Sequence, residues 1–272
     1  MNPATRIPGK ADILAGLKRL PGLSPAVQAI LPRLADDALD VAELTRKLGE
    51  DPVLAARVLH LANSPFYGLS RQIDSLRDAV LVLGFGNLRG LMLSAGLIGA
   101  FAAADATATS RSLATAAAAG VLAKSLGLDP GQAFTAGLLH HRGALLVTHF
   151  APDPWRELAV EPIGSDTRLT REREIFGFDH CELGADIAGQ WHFPEAIQAA
   201  IRHYPRPPDD PGERLTDLVH VAWVVGAPEQ PGAGPVFAPG VASRLGLASP
   251  EGEDGQAILG QAARAARDVH VL

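Results

Sequence analysis

Apolar residues recur along this chain at three- and four-residue intervals, and strand-like alternation is scarce, so the pattern predicts an all-α protein. Ser24 and Pro25 read as an N-cap and first-turn proline opening a helix toward Leu34. Asp40 and Glu43 have capping-box spacing, and Val41, Leu44 and Leu48 then share one face before Gly49. Asp51–Pro52 opens the next helix, which runs to the break at Asn63–Ser64–Pro65. Ser75 and Asp78 start another, with Leu76, Ala79, Val80 and Leu83 as its stripe, Gly84 as its stop and Asn87 as a cap for its successor. Further on, 112–126 is alanine-rich and helix-forming, and Asp129–Pro130 opens a helix through Phe134, Leu138 and Leu139. Helices follow over 144–150, behind a capping box at Asp179 and Glu182, after Pro194, and over 215–225. The Pro/Gly-rich stretch 226–240 reads as a loop and 256–269 as a terminal helix.

Composition shifts to Ala, Thr and Asp over 102–110, a joint between two lobes. The predicted organisation is therefore a helical lobe over 1–105, a second over 106–225, and a loop with a terminal helix over 226–272. With 47% hydrophobic and 20% charged residues, the chain is globular. A net charge of −6 weighs against nucleic acid as a partner. Cys181 is the single cysteine, which excludes an internal disulfide and a thiolate-rich zinc site and suits a reducing cytoplasm. The N-terminus lacks the apolar run of a signal peptide, and 88–104, interrupted by Arg89 and glycines, falls short of a membrane span. The expectation is a soluble cytoplasmic protein with no membrane contact.

Three strings carry a family resemblance: LPGLSPAVQAILPRL, LTRKLGEDPVLAARVLHLANSPFYG and IDSLRDAVLVLGFGNLRGLML, in that order. The match continues through AFTAGLLHHRGALLV and FDHCELGADIAGQWHFP, so that 14–225 resembles the HDOD family of bacterial signalling proteins. The resemblance implies a two-lobed all-α fold related to the HD superfamily of metal-dependent phosphohydrolases, with the second lobe the phosphodiesterase-like one. It also implies a non-catalytic role in two-component, cyclic-dinucleotide or motility circuits.

HD enzymes supply a first histidine, an adjacent His-Asp pair and a distant aspartate as metal ligands. By the resemblance, these positions hold Arg111–Ser112, His140–His141 and Ala222–Trp223. Only His140 matches, and an arginine cannot ligate a cation. His180 and His203 stand where related HD-GYP sequences bind a second metal, which predicts a His140, His180, His203 cluster in the old cleft. Imidazoles packed between helices more often satisfy hydrogen bonds than hold metal, and no cofactor is expected. His141 and Arg142 have the chemistry to bind a small anionic ligand, although positive groups at a helix end are commonplace. Asn63, Phe66 and Tyr67 form a capped turn that docks an aromatic against the lobe interface, or a surface for a partner. Cys181 reads as a small core residue rather than a nucleophile. The expected function is a non-catalytic scaffold binding a kinase, a response regulator or another signalling protein. The alternatives are a divergent phosphohydrolase and a cyclic-dinucleotide receptor without turnover.

Overall fold

The computed structural model describes residues 7–17, 40–50, 55–56, 58–59, 62–63, 72–85, 88, 90, 106–210, 212–226, 236–247 and 253–269, and every regular element among them is helical. Among the helices that precede the second lobe are α1 (Lys10–Leu17) and α2 (Val41–Gly49). The second lobe comprises α3 (Ala106–Ser125), α4 (Pro130–Leu139), α5 (Arg142–Phe150), α6 (Pro152–Glu157), α7 (Asp166–Phe176), α8 (His180–Gln190), α9 (Glu195–His203) and α10 (Arg214–Val225). After them come α11 (Val241–Arg244) and α12 (Glu253–Val269). No described helix is long and apolar enough to cross a membrane.

Caps placed from sequence hold where the structure describes them. Asp40 accepts a bond from Ala42 N at the start of α2, and Asp129 accepts from Gly131 and Gln132 N ahead of Pro130 in α4. Asp179 accepts from Glu182 N at 2.8 Å to open α8, and Ser75 Oγ accepts from Asp78 N ahead of a helix over 76–85. Gly84 sits there at φ +71°, a conformation that disfavours any residue with a Cβ. The predicted helix from Ser24 and the cap at Asn87 lie outside the described residues.

α3 and α7 are among the elements that differ from expectation. α3 begins at Ala106, so helix fills most of the joint expected at 102–110; alanine-rich helix extends readily through scattered threonines. α7 was not predicted at all, because DTRLTREREIF is mostly charged and presents no clean apolar stripe. Its ends are nonetheless well marked, by Ser165 accepting from Arg168 N and by Gly177 at φ +79°.

The N-terminal segment has its own core of Leu44, Leu48, Val58, Ala62, Ile73, Ala79, Val80, Leu83 and Leu88. α1 lies apart from that core. Its Ile13 packs with Leu145, Leu146, Phe178 and Leu183, and Lys10 Nζ bonds Asp186 Oδ2 at 2.9 Å on α8. In the second lobe α3 runs along both α4 and α12, and the terminal helix shares one apolar core with α3 and α10. α11 is tied in by charge: Arg244 grips Asp217 of α10 with two bonds, 2.7 and 2.8 Å. Between α5 and α8 the backbones come so close that a Cβ on Gly143 would overlap the His180 carbonyl oxygen and stand 2.8 Å from Gly184 N.

Candidate functional site

That close approach brings His140 and His141, at the α4–α5 corner, beside His180 at the start of α8. The His141 ring lies 5.7 Å from that of His140 and 5.8 Å from that of His180, centroid to centroid. Tyr204, just past α9, packs edge-on against His140 at 4.7 Å. All four are buried.

His203 does not join them. The structure leaves it exposed, and its neighbour Tyr204 enters the cluster instead, so the expected convergence of His140, His180 and His203 is corrected. The physical reason is helical phase: consecutive residues point about 100° apart, and the larger apolar ring takes the inward position. Asn63 is placed as a brace. Its side-chain amide donates to Leu59 O and Ile73 O, and its Oδ1 accepts from Ile73 N at 2.7 Å. Phe66 and Tyr67 lie outside the described residues.

Sequence reasoning missed the network that governs His180. Glu172 of α7 is fully buried; its Oε2 accepts from His180 N at 2.9 Å and faces His180 Nδ1 at 2.7 Å. Its Oε1 accepts from Arg168 Nε at 2.7 Å, and the Arg168 guanidinium stacks over Trp155 at 4.1 Å. Arg168 Nη1 also donates to Leu158 O. On the other side, His180 Nε2 lies 3.0 Å from the Tyr204 hydroxyl and 3.4 Å from Cys181 Sγ. A signal was present in the i,i+4 spacing of Arg168 and Glu172, which an exposed helix shares equally.

The protonation states follow from these contacts. Burial alone would lower His180, but Cys181 and Glu172 outweigh it and hold its pKa well above the ordinary 6.5. Burial raises the Cys181 thiol and the Tyr204 phenol, and the Glu172 carboxylate at 2.7 Å from Nδ1 is the formal charge that faces the His180 ring. Burial would raise the Glu172 carboxyl, yet the bonds from His180 and Arg168 hold it below its ordinary value. His140 is the opposite case. Burial drives its pKa down to about 3, so it is neutral, with Nδ1 donating to Gly137 O at 2.6 Å. His141 is likewise pushed well below 6.5 by burial and its cationic neighbours. Arg111, exposed on α3, lies close enough to weigh on both rings.

A metal fits this donor set poorly. His180 is an imidazolium with both ring nitrogens engaged and offers no lone pair. His140 keeps only Nε2, because Nδ1 serves Gly137. Among the described residues, no three His, Cys, Asp or Glu side chains are grouped to hold a cation. Trp223, where the resemblance expects the distant aspartate, packs on Tyr204 at 5.2 Å.

These shifts predict a stability profile with two limbs. His140 and His141 are held neutral in the fold, so below pH 6.5 the unfolded chain takes up protons that the folded one refuses, and stability falls as pH drops. Each contributes a slope of up to ~1.4 kcal/mol per pH unit. His180 acts oppositely: its contribution is complete below 6.5 and is lost as pH rises through its raised folded pKa. Urea midpoints between pH 4 and 9 are expected to peak near neutrality. His140→Asn should flatten the acid limb, and an unchanged acid slope would refute the assignment of His140 as the buried neutral group.

The HDOD domain family model matches residues 20–207. A Geobacter sulfurreducens structure described as an HDOD domain protein with unknown function is 26% identical, TM-score 0.67, over 96% of this chain and 95% of that one. A Shewanella amazonensis structure, provisionally described as a phosphohydrolase, is 26% identical, TM-score 0.64, over 94% and 97%. A Treponema pallidum uncharacterized protein is 24% identical over 227 residues, 78% of this chain and 43% of that protein. The chain thus spans less than half the length of this curated relative.

Proposed function

This chain belongs to the HDOD family, and from that premise we propose that it is a non-catalytic regulatory or scaffold domain in bacterial signal transduction, working by binding another signalling protein. The observation that supports the reading is the saturation of His180. Metal-assisted hydrolysis needs imidazole and carboxylate donors around a cation with one open position. Here the carboxylate nearest the histidines, Glu172, is committed to Arg168 and His180. His141 stands where the second member of the His-Asp pair would supply an oxygen. His180 and its partners Glu172 and Arg168 thereby form a packed core element. Its natural work is to hold α5, α7, α8 and α9 in one rigid surface. A partner would be a kinase, a response regulator or a protein of a cyclic-dinucleotide circuit, in the cytoplasm. Of the partner-binding candidates, Asn63 braces Ile73.

The test is elemental analysis of protein purified without chelator or a metal-affinity column, together with hydrolysis of a chromogenic phosphodiester. Metal well below one equivalent and no turnover are expected. Near-unit zinc, iron or manganese, lost with phosphodiesterase activity in His140→Ala, would overturn the reading in favour of a divergent phosphohydrolase.

A further inference from the structure

Among the described residues, no carboxylate is paired with the buried guanidinium at this corner. Arg142, the first residue of α5, is 3% exposed, and its Nη2 is buried with no hydrogen-bond partner. Its Nε donates to Leu138 O at 3.2 Å, a neutral carbonyl. Burial lowers its pKa only to about 10, so it carries full charge at neutral pH. Buried guanidinium groups elsewhere in this chain are treated differently. Arg168 is given Glu172, and Arg244, nearly as buried, is given Asp217. An unpaired buried charge is costly unless something neutralises it, and a guanidinium fork matches a planar or tetrahedral oxyanion.

The surroundings agree in sign. Arg142 and Arg111 both bear electrostatically on the His140 and His141 rings, which places two cations about one corner. The nearest carboxylate of the cluster, Glu172, is already matched by Arg168 and His180. α5, nine residues long, begins at this corner without a side-chain cap, since His141 at its N-cap makes no capping bond. Its first backbone N–H groups are therefore left without a side-chain cap at this corner.

We propose that the α4–α5 corner is a binding site for a phosphoryl oxyanion, in which Arg142 supplies the buried fork, His141 a neutral ring donor and Arg111 an outer charge that draws the anion in. The ligand is bound and not cleaved, because no nucleophile or metal is required of any of these groups. The site is independent of the partner-binding reading, and either can fail alone.

Thermal unfolding of the whole chain in sodium phosphate tests it, against sodium chloride and sodium acetate at matched ionic strength and pH 7.5. Phosphate is expected to give a saturable rise of roughly 3–6 °C beyond chloride. A rise of equal size in acetate would show a general carboxylate site and overturn the phosphoryl assignment. Arg142→Met should abolish the phosphate increment while leaving the chloride melting temperature unchanged or higher, as removal of an uncompensated charge predicts. A purely structural arginine would do the reverse, lowering the baseline and keeping the increment. Should Arg142→Met not fold, Arg111→Gln, an exposed change, decides the matter. It should weaken the phosphate midpoint about two- to fivefold. An unshifted midpoint in Arg111→Gln, or no phosphate-specific rise in the unaltered protein, refutes the site.

Discussion

Glu172→Gln is expected to remove about 3–5 kcal/mol of folding stability, a third or more of what a domain of this kind commands. The substitution keeps shape and one hydrogen-bond acceptor but deletes the charge. It leaves Arg168, 2% exposed at its side chain, and His180, fully buried, without their common counter-ion. The pH dependence carries the same signature. The carboxylate's contribution is complete above about 4.5 and is lost as pH falls through its depressed folded value, whereas the His180 contribution is lost as pH rises. The Glu172→Gln protein should therefore lose the alkaline limb, because its His180 no longer holds a proton in the fold. Adding Arg168→Met should recover part of the loss, since the second buried charge then disappears too. A fall in urea midpoint worth less than about 1 kcal/mol would mean that the triad is not the electrostatic centre of the lobe.

Gly143→Ala should be nearly as damaging, at about 3 kcal/mol or more, for a reason of space alone. The new methyl would meet the backbone of His180 and Gly184, and backbone cannot rotate away as a side chain can. To admit it, α5 must withdraw from α8, which separates His140 and His141 from His180. Gly260→Ala is the matching control: that residue lies in α12 with open space where its Cβ would go, and alanine there should stabilise by about 0.5–1 kcal/mol. Equal melting temperatures for the two variants would show that the α5–α8 approach is looser than the structure has it.

Much of the helical framework was legible in the chain because its signals are local. Asp129 before Pro130, and Asp179 three residues before Glu182, announce helix starts by chemistry confined to one turn. The stripe of Ala79, Val80 and Leu83 announces a buried face in the same way, and all three are buried. α7 escaped for the converse reason. Its buried residues include Arg168 and Glu172, which look like a solvent-exposed ion pair until a third group, His180 of the next helix, is brought to them.

The candidate site divides along the same line. His140, His141, Arg142 and His180 could be picked out from sequence, and the structure gathers them at one corner. That His203 faces solvent while Tyr204 bonds His180 depends on the rotation of α9 by one residue. The terminal helix and α1, at opposite ends of the chain, both pack on the second lobe, one on α3 and the other beside Leu145 and Phe178. Sequence by itself determined the helices with strong caps and stripes, the family, and the absence of an aspartate after His140. Only the tertiary structure decided which charges neutralise one another. Pairing of buried ions is a property of distance across helices, and no spacing along the chain encodes that Glu172 is taken while Arg142 is left over.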